Sequence, residues 1–184
     1  MPAAQLLLMN REAFHAPEIV IETQRLILRR WRDGDEIIAA PIYAKPEVMQ
    51  YIPSGTWDYQ ATTRIIARMQ ALENDQGFGF YPIVLKETGA IIGHAGLGYL
   101  ERTKEVELAY VLDVQYWRRG LATEAARAIL THGFAAIGLE RIVAVAFPEN
   151  LRSVEVMKRC GMQACGLAWH FNREVVKYEA RRGG

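Results

Sequence analysis

From Gly77 onward the chain reads as three strand-like runs in succession, then a helix, then a fourth run. That order constrains the fold more than any other feature. "FGFYPIVLK" and "AIIGHAGLGYLE" are joined by Glu87-Thr88-Gly89, a hairpin signal. "EVELAYVL" (105–112) follows, with Val106, Leu108, Tyr110 and Leu112 on one face by period two. A helix then extends to about Ile137, with Gly138 as its C-cap. "RIVAVAF" (141–147) is continuously apolar, as expected of a strand buried on both faces. Consecutive strands favour antiparallel pairing, whereas a strand–helix–strand crossover favours parallel pairing. The expected fold class is therefore α/β of the mixed kind: a central, mostly antiparallel sheet of about seven strands flanked by helices.

The remaining elements fit around that sheet. "QRLILRRW" (24–31) alternates and reads as a first strand. "DGDEIIAAPIY" opens with Asp33 and carries Glu36 three residues later, a helix start of the capping-box kind. Pro41, Pro46 and Pro53 break the next stretch into turns, with a brief helix around "PEVMQYI". Residues 58–75 form a helix capped by Asp58, with Ile65, Met69 and Leu72 as its apolar stripe. "ENLRSVEVMKRCG" is a short helix beginning at Asn150 and stopped by Gly161, and runs near 164–171 and 174–180 close the sheet. With no repeat or linker to divide them, residues 21–184 read as one domain, and residues 1–20 as an N-terminal extension.

At 184 residues the chain can bury a substantial core without staples. Its formal net charge of +1 argues against a broad electrostatic surface for nucleic acid. Cys160 and Cys165, the only two cysteines, indicate neither a disulfide framework nor a zinc site. His15, His94, His132 and His170 lie on separate elements with no metal-ligand spacing, so no metal is expected. The opening residues lack a basic n-region, and no window has the apolar length of a bilayer span, so no membrane partner and a cytoplasmic location are the expectation.

"YWRRGLATEAARAIL" (116–130) raises a question of charge. Arg118 and Arg119 precede the first turn of the helix, the positive end of its dipole, where cations are unfavourable. An anion there would accept hydrogen bonds from the open N–H groups and neutralise both arginines, and phosphate is the obvious candidate. Charge-assisted hydrogen bonds contribute roughly 1.5–3 kcal/mol each, against roughly 0.3–1 kcal/mol for an exposed dipole term. The backbone donors should therefore matter most. On this stretch alone, an ordinary strand–turn–helix with its arginines in water stays open. The glycine pattern is neither that of a Walker A loop nor the dinucleotide fingerprint.

"YVLDVQYWRRGLATEA", followed about thirty residues later by "NLRSVEVMKRCGM", resembles the GCN5-related N-acetyltransferases (GNAT). "IETQRLILRRW" is similar to the opening strand of the branch that includes the ribosomal-protein N-terminal acetyltransferases. Gly120 and Ala122 match the last two fixed positions of that family's pyrophosphate loop, while Trp117 stands where Gln or Arg is usual. The resemblance implies a GNAT-like fold and acetyl-CoA as cosubstrate. It places the pyrophosphate on backbone N–H groups of Arg118, Arg119, Gly120, Leu121, Ala122 and Thr123. It sets the pantetheine arm along the main chain of Tyr110, Val111 and Leu112, and matches Asn150 and Ser153 to the family's N-x-x-S near the thioester. The implied partner is an amine acceptor, a protein N-terminus or a small molecule, attacked directly; relatives often dimerise, so a homodimer is possible.

Acetyl transfer to an amine needs a proton acceptor and a proton for the leaving thiolate. Glu107 shares a strand face with Ala109 and Val111, a charge among apolar residues whose pKa burial would raise, which makes it the candidate base. The competing reading pairs it with Lys104 or an arginine at a sheet edge. Ser153 is the candidate acid; as plain local structure, Asn150 is a helix N-cap and Ser153 a first-turn residue. Trp31, Trp57, Tyr59 and His170 either line the acceptor pocket or belong to core and surface. The alternative function is a non-catalytic acyl-CoA-binding module, which would follow if Glu107 and Ser153 faced away from the thioester.

Overall fold

The computed structural model describes residues 19–100 and 102–183. The expected extension lies outside these residues except for Ile19 and Val20, which open a strand, and His15 lies outside them too. Among the described residues eight strands form one sheet, in the order β1-β2-β3-β4-β5-β6-β8-β7. They are β1 (Ile19–Glu22), β2 (Leu26–Arg29), β3 (Phe80–Leu85), β4 (Ile91–Tyr99), β5 (Val106–Leu112), β6 (Arg141–Ala146), β7 (Gln163–His170) and β8 (Arg173–Arg181). The helices are α1 (Asp35–Tyr43), α2 (Pro46–Met49), α3 (Tyr59–Gln76), α4 (Leu121–His132) and α5 (Leu151–Arg159). Neighbouring strands are antiparallel except β5 and β6, which are parallel, as the crossover through α4 requires. No helix of the described residues is long and apolar enough to cross a membrane.

Two details of the sequence reading are corrected. The strand expected over 24–31 is β2 (Leu26–Arg29), and a further strand, β1, precedes it because Thr23 turns the chain: its hydroxyl accepts the Leu26 N–H at 2.9 Å and its N–H donates to the Leu26 carbonyl at 2.9 Å. That extra strand brings the sheet to eight. The first helix is capped by Gly34 in the left-handed region (φ 93°), not by Asp33. Asp35 is the acidic residue that matters there. Its carboxylate accepts two bonds from the Arg29 guanidinium, at 2.6 and 2.9 Å, and one from the Arg32 N–H at 2.8 Å. Asp58 caps α3 as expected, accepting the Ala61 N–H at 2.7 Å. The helix after Gly120 ends at His132, and a single wider turn (Gly133–Ile137) carries the chain to the left-handed Gly138.

The sheet separates two cores. On one face α4 and α5 set Leu121, Ala125, Ile129 and Met157 against Leu28, Ile83, Leu97 and Leu108. On the other, α1, α2 and α3 enclose Trp31, Tyr43, Trp57 and Met69 against Val111. Trp31 and Trp57 are thus core residues, and Tyr59 is exposed. His94 is buried beside them, its Nδ1 2.7 Å from the Tyr43 hydroxyl, and burial lowers its pKa to about 4. Its role is structural.

The Arg29–Asp35 pair is buried on both sides, so removing one partner leaves an uncompensated charge. Asp35→Ala is expected to cost about 3–5 kcal/mol of stability, measured as a lowered urea midpoint, and joint replacement of Arg29 and Asp35 by Met and Leu should cost much less.

Candidate active site

β5 and β6 touch through one registered pair, Glu107 opposite Val143. Beyond it each follows its own antiparallel partner: β5 stays with β4 as far as Leu112, and β6 stays with β8 as far as Ala146. The two strands therefore part, and the gap opens a cleft of about 770 Å³. Its lining includes Val48 and Tyr51 from the α1–α3 side and Leu121, Ser153 and Val156 from the α4–α5 side. The cleft runs through the sheet, with a mouth on each face.

Alternation along β5 decides what the main chain presents to this gap. The Asp113 N–H donates to the Ile92 carbonyl at 2.9 Å, so odd-numbered residues turn their backbone toward β4. Tyr110 and Leu112 turn theirs toward the split. The Leu112 carbonyl is taken by the Trp117 indole N–H at 2.8 Å, which ties the strand end to the loop before α4. The Arg152 guanidinium covers the Trp117 ring, 4.4 Å from its centre. Trp117, the departure from the family's loop pattern, thus acts as a strut.

At the α4 mouth the loop carries two left-handed residues, Arg118 (φ 60°) and Gly120 (φ 76°). Gly120 supplies no side-chain cap, so the N–H groups of Leu121, Ala122 and Thr123 begin the helix without a partner from it. Arg118, Gly120, Leu121, Ala122 and Thr123 line the cleft; the Arg119 side chain does not. Arg119 reaches instead toward Glu87 at 3.7 Å and over the Tyr116 ring. The loop is braced from β1–β2. Glu124 in the first turn of α4 accepts from the Thr23 hydroxyl at 2.6 Å, the Arg25 N–H at 2.9 Å and Arg25 Nε at 2.6 Å. A second Arg25 nitrogen donates to the Arg119 carbonyl at 2.9 Å. Burial alone would raise the Glu124 pKa, but these donors hold it below the ordinary range. The E-T-x-R stretch near the start thus has a physical task that sequence reading did not assign to it.

Glu107 sits at the vertex of the split. Its carboxyl opens onto the cleft but is otherwise walled in by protein. Burial pushes its pKa up to about 7, partly offset by the Val145 N–H that donates to it. The expected ion-pair alternative belongs to its neighbour: Glu105 takes Arg141 and Lys177, each at 2.5 Å. Across the cleft Asn150 caps α5, accepting the Ser153 N–H at 3.2 Å. The Ser153 hydroxyl lies 2.9 Å from the Tyr110 hydroxyl, whose pKa burial raises far above its usual value. Tyr110 entered the sequence reading for its main chain only. Its side chain was missed because the contact crosses 43 residues. His170 ends β7 and does not line the cleft.

Glu107, Ser153 and the open helix start therefore share one cavity, an arrangement able to accept a proton, return one and hold an anion. Comparison with known proteins identifies the family. Residues 25–163 match the family model of the acetyltransferase (GNAT) domain. An uncharacterized N-acetyltransferase of Bacillus subtilis, YnaD, is 32% identical over 147 residues, 80% of this chain and 84% of that one. An acetyltransferase of Agrobacterium tumefaciens superposes with a TM-score of 0.79 at 28% identity, over 91% of this chain and 96% of that one. RimL, a ribosomal L7/L12 acetyltransferase solved with coenzyme A, shares the fold at 18% identity, with a TM-score of 0.76 over 89% and 98% of the two chains.

Between the ordinary glutamate range and about pH 7, folded Glu107 keeps a proton that the unfolded chain has released. Stability must then fall as pH rises through that window. Glu107→Gln removes the loss, so its Tm should match the parent near pH 4.5, exceed it increasingly up to pH 7, and keep a constant lead above, as read by thermal scans in matched buffers.

Proposed function

Because the chain belongs to the GNAT acetyltransferase family, we propose that it transfers an acetyl group from acetyl-CoA directly to a primary amine, a protein N-terminus or a small molecule. The observation that carries this reading is the cleft through the sheet, with Glu107 at its vertex, Ser153 on its wall and an uncapped helix start at one mouth. The residues present fit the cosubstrate. The N–H groups from Arg118 through Gly120, Leu121 and Ala122 to Thr123 would hold the pyrophosphate, with Arg118 adding charge. The inward-facing main chain of Tyr110 and Leu112 would hold the pantetheine arm like an added strand, with Val111 fixing the strand from its core side, and Asn150 and Ser153 would hold its thiol end. That a fold neighbour was solved with coenzyme A supports the same choice.

Bound acetyl-CoA supplies an activated acyl thioester. Glu107, ionised above about pH 7, takes the proton of the attacking amine, directly or through water. A main-chain N–H of the split strand stabilises the carbonyl oxygen as it gains charge. Ser153, backed by the Tyr110 hydroxyl, gives a proton to the departing sulfur. The nitrogen–carbonyl bond forms, the carbon–sulfur bond breaks, and one proton enters and one leaves the protein.

Two variants test separate parts of this reading. Gly120→Asp adds a side chain at φ 76° and a negative charge at the anion site; calorimetry should show acetyl-CoA binding lost in a folded protein. Glu107→Gln should keep that binding while kcat/KM falls roughly 10²-fold or more. Its pH–rate profile should lose the rise that the parent shows through about pH 7.

A further inference from the structure

The cleft mouth on the α1–α3 face differs in chemistry from the mouth at α4. Tyr51, Ile52 and Pro53 from the segment after α2 and Phe171 and Val175 from the β7–β8 region line it, together with the acidic groups Glu47 and Glu107. The cations among the described lining residues are Arg118, Arg152 and Arg159, all on the loop before α4 or on α5. Arg152 lies over Trp117, and Arg159 pairs with Glu155 at 2.9 Å. Near the α1–α3 mouth the basic groups are committed elsewhere. Lys45 donates to both oxygens of Asp113, at 2.7 and 2.8 Å. Arg173 pairs with Glu149 at 2.5 Å and covers the Phe147 ring at 4.1 Å. Arg102 does not line the cleft; it lines a small neighbouring recess that shares Phe171 with it.

Phe171 is held at this mouth against its own backbone preference. It and Asn172 are the two central residues of the β7–β8 turn, with φ of 54° and 59°. A two-residue turn with both φ positive suits Gly or Asn. In a bulky residue that conformation is a genuine outlier, and such outliers gather at ligand clamps. The strained residue also lines the cleft, in company with Tyr51 and Glu107.

We propose that this mouth admits a primary amine carried on an apolar or aromatic body with no carboxylate beside the nitrogen, and that Phe171 grips that body. The inference rests on the acetyltransferase reading and narrows its acceptor. An amine enters toward Glu107 while its apolar body replaces water against Phe171, Tyr51 and Ile52. A free amino acid would bring its carboxylate between Glu47 and Glu107, where the described lining of this mouth offers no cation to meet it, and burying that unpaired charge is costly.

The test compares phenethylamine, phenylalaninamide and phenylalanine at saturating acetyl-CoA, following coenzyme A release. The first two should exceed phenylalanine in kcat/KM by roughly tenfold or more. Phe171→Gly should raise KM for phenethylamine while leaving KM for acetyl-CoA unchanged, with Tm equal to or above the parent because glycine relaxes the turn. Phenylalanine turned over as well as its amide overturns the acceptor class and leaves the acetyltransferase reading standing. An unchanged phenethylamine KM in Phe171→Gly overturns the grip assigned to that residue. Acetyl-CoA binding with none of the three amines acetylated overturns the acetyltransferase reading for such amines, and this inference with it.

Discussion

A parallel pair of strands, each with a stronger claim on its other side, shapes this protein. β5 is zipped to β4 along its whole length and β6 to β8 along its own, so sheet twist carries the two apart after Glu107 and Val143. An antiparallel hairpin would have closed that seam through its turn; a crossover through α4 leaves it open. The opening places the backbone groups of Tyr110 and the N–H of Leu112 next to space rather than next to a strand, the Leu112 carbonyl being taken by Trp117. In most sheets a gap of this kind would be a defect, because unpaired backbone groups attract other chains. Here it lies in the middle of the sheet, flanked by α4 and α5 on one face and α2 on the other.

The split also explains why one glutamate behaves unlike its neighbour two residues away. Glu105 lies just before the two strands pair and is held by Lys177 and Arg141, so its pKa is lowered. Glu107 lies where they part, with burial dominating and a single backbone N–H opposing it. Two carboxylates two residues apart are thus driven in opposite directions, one by its cationic partners and the other by burial at the split. A group that costs stability when ionised is retained at that vertex, consistent with a use for a base near neutral pH.

The anion-ready helix start is held open by interactions from far along the chain. Thr23 and Arg25 satisfy Glu124, and Arg25 also holds the Arg119 carbonyl, so the loop before α4 cannot relax onto its own helix end. Trp117 holds the same loop from the β5 side. Arg118 is left in a strained left-handed conformation between these two struts, facing the cleft.

Local pattern alone determined the order of elements. Hydrophobic period, the Asp58 cap, the Gly138 stop and the crossover through α4 follow from residues close in sequence, and so does the mixed sheet they imply. The same local rules placed Glu107 on the face of Val111 and Asn150 at a helix start. The misplaced cap at Asp33 marks where they failed: Asp35 turns inward because Arg29, six residues earlier, needs a buried partner. Tertiary structure alone decided what the site residues meet. The pairing of Tyr110 with Ser153, of Glu124 with Thr23 and Arg25, and of Phe171 with the cleft that Glu107 also lines joins segments dozens of residues apart. No periodicity encodes such contacts, because they depend on which strands part and which turn bends over the gap. Sequence assigned the side chains to faces; packing chose which of them would meet.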